Sequence, residues 1–135
     1  GIWRDTARPI LRKCVAGCGG AMSKSIREYL EDMQKYTNYV AEFTALGKAE
    51  FDSNLMNQFA VARAYEVIGE IAKRLPNKLL MTQSQAEWKQ IIGMRDYISH
   101  NYYKVDTELL WIAVEKLPIL QKAIQALLDG LGDEE

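Results

Sequence analysis

Arg95, His100 and Tyr102 are the residues of this 135-residue chain best suited to chemistry. Arginine holds a phosphate with paired donors and stabilises developing negative charge. Histidine titrates near neutrality, so it can take up or give a proton, and His100 is the single histidine. Together these are the needs of metal-free RNA cleavage, in which a ribose 2′-hydroxyl attacks the adjacent phosphate. One Arg/His set is meagre for a reaction that profits from both a base and an acid. A two-fold dimer would bring two sets together. The R-x4-H spacing by itself leaves a structural histidine open.

The element that must position them is a helix. At about 100° per residue, Trp88, Ile91, Ile92, Ile98 and Tyr102 fall on one stripe, and Arg95 sits in its middle. A charge on a buried face is costly unless it is paired. His100 lies about 140° further round than Arg95, off the same face in an ideal helix. A helix that frays at Asn101 would turn His100 inward, and a long arginine could reach it. Ser84-Gln85-Ala86-Glu87 has the form of a capping box, so the helix is expected over Ser84 to about Asn101.

Three other helices are legible. Ser23 or Ser25 caps the first, to about Leu46, with Ile26, Tyr29, Leu30, Met33, Tyr36, Val40 and Phe43 on one side and Gly47 at its end. Glu50 to Ser53 reads as a polar connection that ends in a capping residue. The second helix runs from about Asn54 to Leu75, where Pro76-Asn77 stops it. Leu55, Phe59, Ala62, Tyr65, Ile68, Gly69, Ala72 and Leu75 form its apolar side. Gly69 is costly inside a helix and marks a close helix–helix contact. Glu66 and Glu70 read as a solvated face or as partners for Arg63, Lys73 and Arg74, in preference to an acid/base pair. Pro76 to Gln83 reads as a loop. Asp106 caps the fourth helix, which Pro118 breaks or kinks before it continues to Leu131. Trp111 reads as core. The sequence has no strand pattern and no internal repeat. The expected fold is all-α, an up-and-down bundle of four to five helices.

Composition narrows the rest. The chain is long enough for a single core, and no apolar run approaches the ~20 residues of a membrane span. Seventeen basic residues against eighteen acidic give a net charge of −1, so no global basic field advertises nucleic acid. No phosphate-binding glycine loop, dinucleotide turn or Gly-x-Ser-x-Gly elbow occurs. Cys14 and Cys18 form a lone C-x3-C, a poor zinc site. The lack of cysteine beyond them fits a reducing cytoplasm. Residues 1–21 hold four basic residues and one acidic residue without a sustained period, and read as a vector-derived or disordered leader. The domain is expected over residues 22–135, mildly acidic once the leader is set aside.

The ordered set of segments carries a resemblance. Ile68 to Leu75, Trp88 to Asp96, Arg95-x4-His100-x-Tyr102, Val105-Asp106 and Trp111 to Pro118 resemble, in that order, the HepT-like toxins of the HEPN superfamily. The resemblance implies a metal-independent endoribonuclease that dimerises through the motif helix. Arg95 and His100 of both subunits would line the interface cleft as the catalytic residues. Asp96, Tyr97 and Ser99 are expected in support, and Asp96 stands where Asn also occurs in the superfamily. The resemblance implies no metal and no cofactor. It implies a nucleotidyltransferase antitoxin of the MntA type as partner, which transfers AMP to Tyr102 and silences the nuclease. The substrate would be RNA rather than DNA, in the cytoplasm and away from any membrane. The rival reading is a non-catalytic subunit that binds a nucleotide or docks a minimal nucleotidyltransferase.

Overall fold

Helix boundaries follow from capping chemistry. The structure, a computed structural model, describes residues 24–132; the 1–21 segment with its two cysteines lies outside the described residues. Ser25 caps α1 (Ile26–Phe43), its Oγ accepting from the Glu28 N–H at 3.1 Å. Gly47, at φ 91°, then takes a left-handed turn that a β-carbon would strain. Asn54 caps α3 (Leu55–Arg74) by accepting from the Asn57 N–H at 3.0 Å. Asp106 caps α6 (Thr107–Glu115) through Glu108 N–H at 2.9 Å. Pro118 sits in the first turn of α7 (Leu117–Leu131), where its missing N–H costs nothing.

Four long helices make the bundle, α1, α3, α5 (Trp88–His100) and α7. The most extensive packing is α3 against α5, followed by α1 against α3 and α1 against α7. Leu30, Met33 and Val40 of α1 meet Val61, Ile68 and Ala72 of α3, Ile98 of α5 and Ile124 of α7 in one continuous core. Every element among the described residues is helical, and none of these helices is long and apolar enough to cross a membrane.

The connections depart from the expected pattern in three places. Glu50 to Ser53 is not a polar link. It belongs to the short helix α2 (Lys48–Ser53), because Phe51 is only 1% exposed and packs on the half-buried Trp111 at 5.3 Å between centroids. The 76–83 region is ordered into α4 (Asn77–Leu80) and the start of a 3-10 turn (Met81–Ala86), tied down by buried Leu80 and Ala86. The Ser84 capping box does not form. Ser84 is still inside the 3-10 turn, where its carbonyl accepts from Glu87 N–H at 3.1 Å, and α5 begins only at Trp88 after a left-handed Glu87. Trp88 Nε1–H donates to the Gln83 carbonyl at 2.9 Å and fixes that start.

Gly69 is where α3 and α5 touch. A β-carbon there would fall 2.3 Å from Arg95 Cβ and 3.0 Å from the Ile91 carbonyl oxygen, so the close approach depends on the missing side chain. Gly93 sits on exposed α5 surface, where a β-carbon would meet nothing within 4 Å. The two glycines therefore respond oppositely to alanine. Gly69→Ala is expected to lower stability by about 1–3 kcal/mol through overpacking, against its gain in helix propensity. Gly93→Ala is expected to raise it by about 0.5–1 kcal/mol. Urea unfolding midpoints decide the matter, and a raised midpoint for Gly69→Ala contradicts the close contact.

Candidate functional site

The crossing at Gly69 accounts for the charge in the apolar stripe. The Cβ and Cγ of Arg95 lie over Gly69, so the aliphatic stem occupies the helix crossing while the charged head reaches past it. The side chain is 30% exposed, and its head meets two carboxylates. Arg95 Nε is 3.1 Å from Glu70 Oε2 on α3, and Nη1 is 2.9 Å from Asp96 Oδ1. The Glu70 contact is a close charge pair without hydrogen-bond alignment, whereas the Asp96 contact is a true hydrogen bond. Glu70 also holds Arg74 through Oε1 at 3.3 Å. Glu70 was expected among the partners of Arg74, and its pairing with Arg95 was not legible in the sequence.

Arg95 opens onto a polar cleft of about 420 Å³ between α1, α3 and α5. Tyr29 and Tyr36 of α1, Arg63 and Glu66 of α3 and Ser99 of α5 share its wall. Ser99 Oγ donates to Glu66 Oε2 at 3.2 Å. Ser99 thus stands in the wall of the Arg95 cleft, and Asp96 pairs with Arg95. Tyr97 does something else. Its hydroxyl accepts from the Asp106 N–H at 3.0 Å, and its carbonyl accepts from Asn101 Nδ2 at 2.9 Å, so it holds the turn after α5 in place.

His100 does not turn inward. The helix stays regular through residue 100, with Asn101 as its cap, and the ring is exposed. His100 Nδ1 lies 2.7 Å from the Asp96 carbonyl oxygen. A carbonyl can only accept, so Nδ1 carries the hydrogen and the neutral ring presents Nε2 as a base. Within one chain His100 lines neither the Arg95 cleft nor the adjoining groove. Tyr102 also leaves the expected stripe. The helix has ended, and the ring is 79% exposed, edge-to-face with Tyr103 at 5.8 Å. Trp88 and Ile98 of that stripe are buried within the chain and cannot form a seam with a partner.

The carboxylate clamp on Arg95 is testable apart from any activity. Both side chains are about one-third exposed, so solvent screening keeps the pair modest. A double-mutant cycle of Glu70→Gln and Arg95→Gln is expected to return a coupling of about 0.5–1 kcal/mol in chemical denaturation. Strict additivity of the two substitutions contradicts the pairing.

The sequence profile of the family described as ribonuclease HepT-like matches residues 26–127, which span every element from α1 into α7. A protein of Thermococcus cleftensis named probable ribonuclease HepT is 35% identical over 108 residues, 78% of this chain and 98% of its own length. A protein of Methanocaldococcus jannaschii, provisionally named an RNase, is 35% identical over 107 residues, 77% of this chain and 98% of its own. One from Caldanaerobacter subterraneus, with the same provisional name, is 31% identical over 107 residues, 78% of this chain and 96% of its own. No solved structure matches. With a profile match across nearly the whole bundle and relatives 35% identical over almost their full length, the chain belongs to the ribonuclease HepT-like family.

Proposed function

We propose that the chain is a metal-independent endoribonuclease, the toxin of a toxin–antitoxin pair, acting as a homodimer on RNA in the cytoplasm. The observation that carries this reading is the pair of groups on α5. Arg95 reaches an open polar cleft, and His100, oriented by the Asp96 carbonyl, presents a free Nε2 at the surface.

The chemistry divides between them. His100 Nε2 takes the proton of the ribose 2′-hydroxyl as its oxygen attacks the adjacent phosphorus. Arg95 leaves its exposed contact with Asp96 to bind the phosphate, whose negative charge grows as the new P–O bond forms. The 5′-oxygen departs with a proton from an imidazolium, leaving a 2′,3′-cyclic phosphate and a 5′-hydroxyl. A single histidine serves as acid and base only in turn. Because His100 does not line the Arg95 cleft of its own chain, a partner subunit would complete the set, with both α5 helices at a shared cleft.

Silencing fits the surface as well. Tyr102 lies two residues past His100 with its ring in solvent, so its hydroxyl is open to a second enzyme. An MntA-type nucleotidyltransferase antitoxin would join this oxygen to the α-phosphorus of ATP, releasing pyrophosphate and the phenolic proton. The phosphodiester formed carries negative charge and a bulky base to the rim of the site, where it would compete for Arg95 and block RNA. A non-catalytic partner-binding subunit is the second reading. It is favoured by the saturation of Arg95 by two carboxylates and by the separation of His100 from its cleft.

His100→Ala is expected to cut RNA at least about 100-fold more slowly than the parent, in chelator, with the helical circular dichroism unchanged. Equal rates remove His100 from the mechanism and favour the binding subunit. Incubation with an active antitoxin of this type and ATP is expected to add one AMP to the parent and none to Tyr102→Phe by mass spectrometry. Addition to both proteins places the modification elsewhere.

A further inference from the structure

The surface beside His100 carries more aromatic area than the fold uses. Phe59, expected in the core, is 65% exposed, and Tyr103 is 78% exposed. With Tyr102 they bound a groove of about 360 Å³ between the N-terminal half of α3 and the turn after α5. Its charged residues are Arg63, Lys104 and Glu66. Glu66 is engaged by Ser99, while neither Arg63 nor Lys104 is in an ion pair among the described residues. Arg63 and Glu66 also line the Arg95 cleft, so the two hollows share a wall.

We propose that this groove is a stacking subsite for an unpaired base of single-stranded RNA, next to the phosphate held by Arg95. The proposal rests on the ribonuclease reading and adds a binding determinant to it. Exposed rings offer π-faces on which any base can stack, and splayed bases on aromatic side chains are the usual way single strands are held. The two unpaired cations suit a polyanion. A purely apolar partner would leave both charges buried without counterions. Continuity supplies the path, since a strand with one phosphate at Arg95 passes Arg63 on its way into the groove.

The probe is a short single-stranded RNA with 2-aminopurine beside a linkage made inert by a 2′-deoxy sugar. Binding to the parent is expected to quench the fluorescence. Phe59→Ala and Tyr103→Ala are each expected to weaken binding about tenfold, and Tyr103→Phe to restore it. Both rings are in solvent, so the fold survives their removal. An abasic residue in place of 2-aminopurine, its affinity read by competition, should weaken the parent by a similar factor and cancel the effect of Phe59→Ala. Equal affinity of the parent for base-bearing and abasic RNA overturns the subsite. So does a Phe59→Ala protein that halves its mass in sedimentation, since a second copy then covers the groove. Cleavage of unmodified RNA is followed in parallel. Cleavage without base dependence overturns the subsite and leaves the nuclease standing, and the absence of both binding and cleavage overturns both.

Discussion

The contact between a missing side chain and an arginine stem governs this molecule. Because Gly69 has no β-carbon, α3 and α5 approach until Arg95 Cβ fills the space, and the stem of a charged residue becomes part of the helix crossing. The guanidinium must then emerge where the helices diverge. There the chain provides Glu70 from one helix and Asp96 from the other. Packing and electrostatics are one device, since the same approach that buries the stem brings Glu70 within reach of the head. Moving the helices apart would loosen the core and release the arginine together.

The clamp also sets the electrostatic state of the cleft. An arginine in contact with two carboxylates is pre-aimed and not overtly cationic, which suits a chain with a net charge of −1. Asp96 is partly in solvent, so exchanging it for a phosphate costs little, whereas the Glu70 Oε2 that faces Arg95 is itself buried and would be stranded by such an exchange. The phosphate binding proposed for Arg95 therefore need not rest on a broad basic surface. Orientation of His100 depends on the same stretch of helix, through the Asp96 carbonyl rather than its side chain. Asp96 thus serves the arginine with its carboxylate and the histidine with its backbone.

The long helices were legible because burial repeats every three to four residues and caps are local chemistry. Ser25, Asp106 and the Pro76 stop all act within a few residues of themselves. Gly69 was legible as a close contact because glycine inside a helix needs a reason. Its partner was not, since nothing local says that residue 69 meets residue 95. The same limit hid the pairing of Glu70 with Arg95. Phe51 looked like a residue in a polar link, and it is core because Trp111 comes to it from sixty residues away. Phe59 and Tyr102 fit apolar stripes by period but lie where no described helix covers them. The Ser84 box failed because a 3-10 turn, pinned by Trp88, used its backbone first.

The bond from Asp106 N–H to the Tyr97 hydroxyl has a consequence of its own. It closes the segment from Tyr97 to Asp106 into a ring, with Asn101 fastened back to α5 at the other end. The rings of Tyr102 and Tyr103 ride on a short bridge with two anchored ends rather than on a free loop. Much of the conformational entropy that a loose loop would surrender on meeting a ligand is surrendered when the chain folds. Folding stability, in this small arc, is exchanged for readiness at the surface.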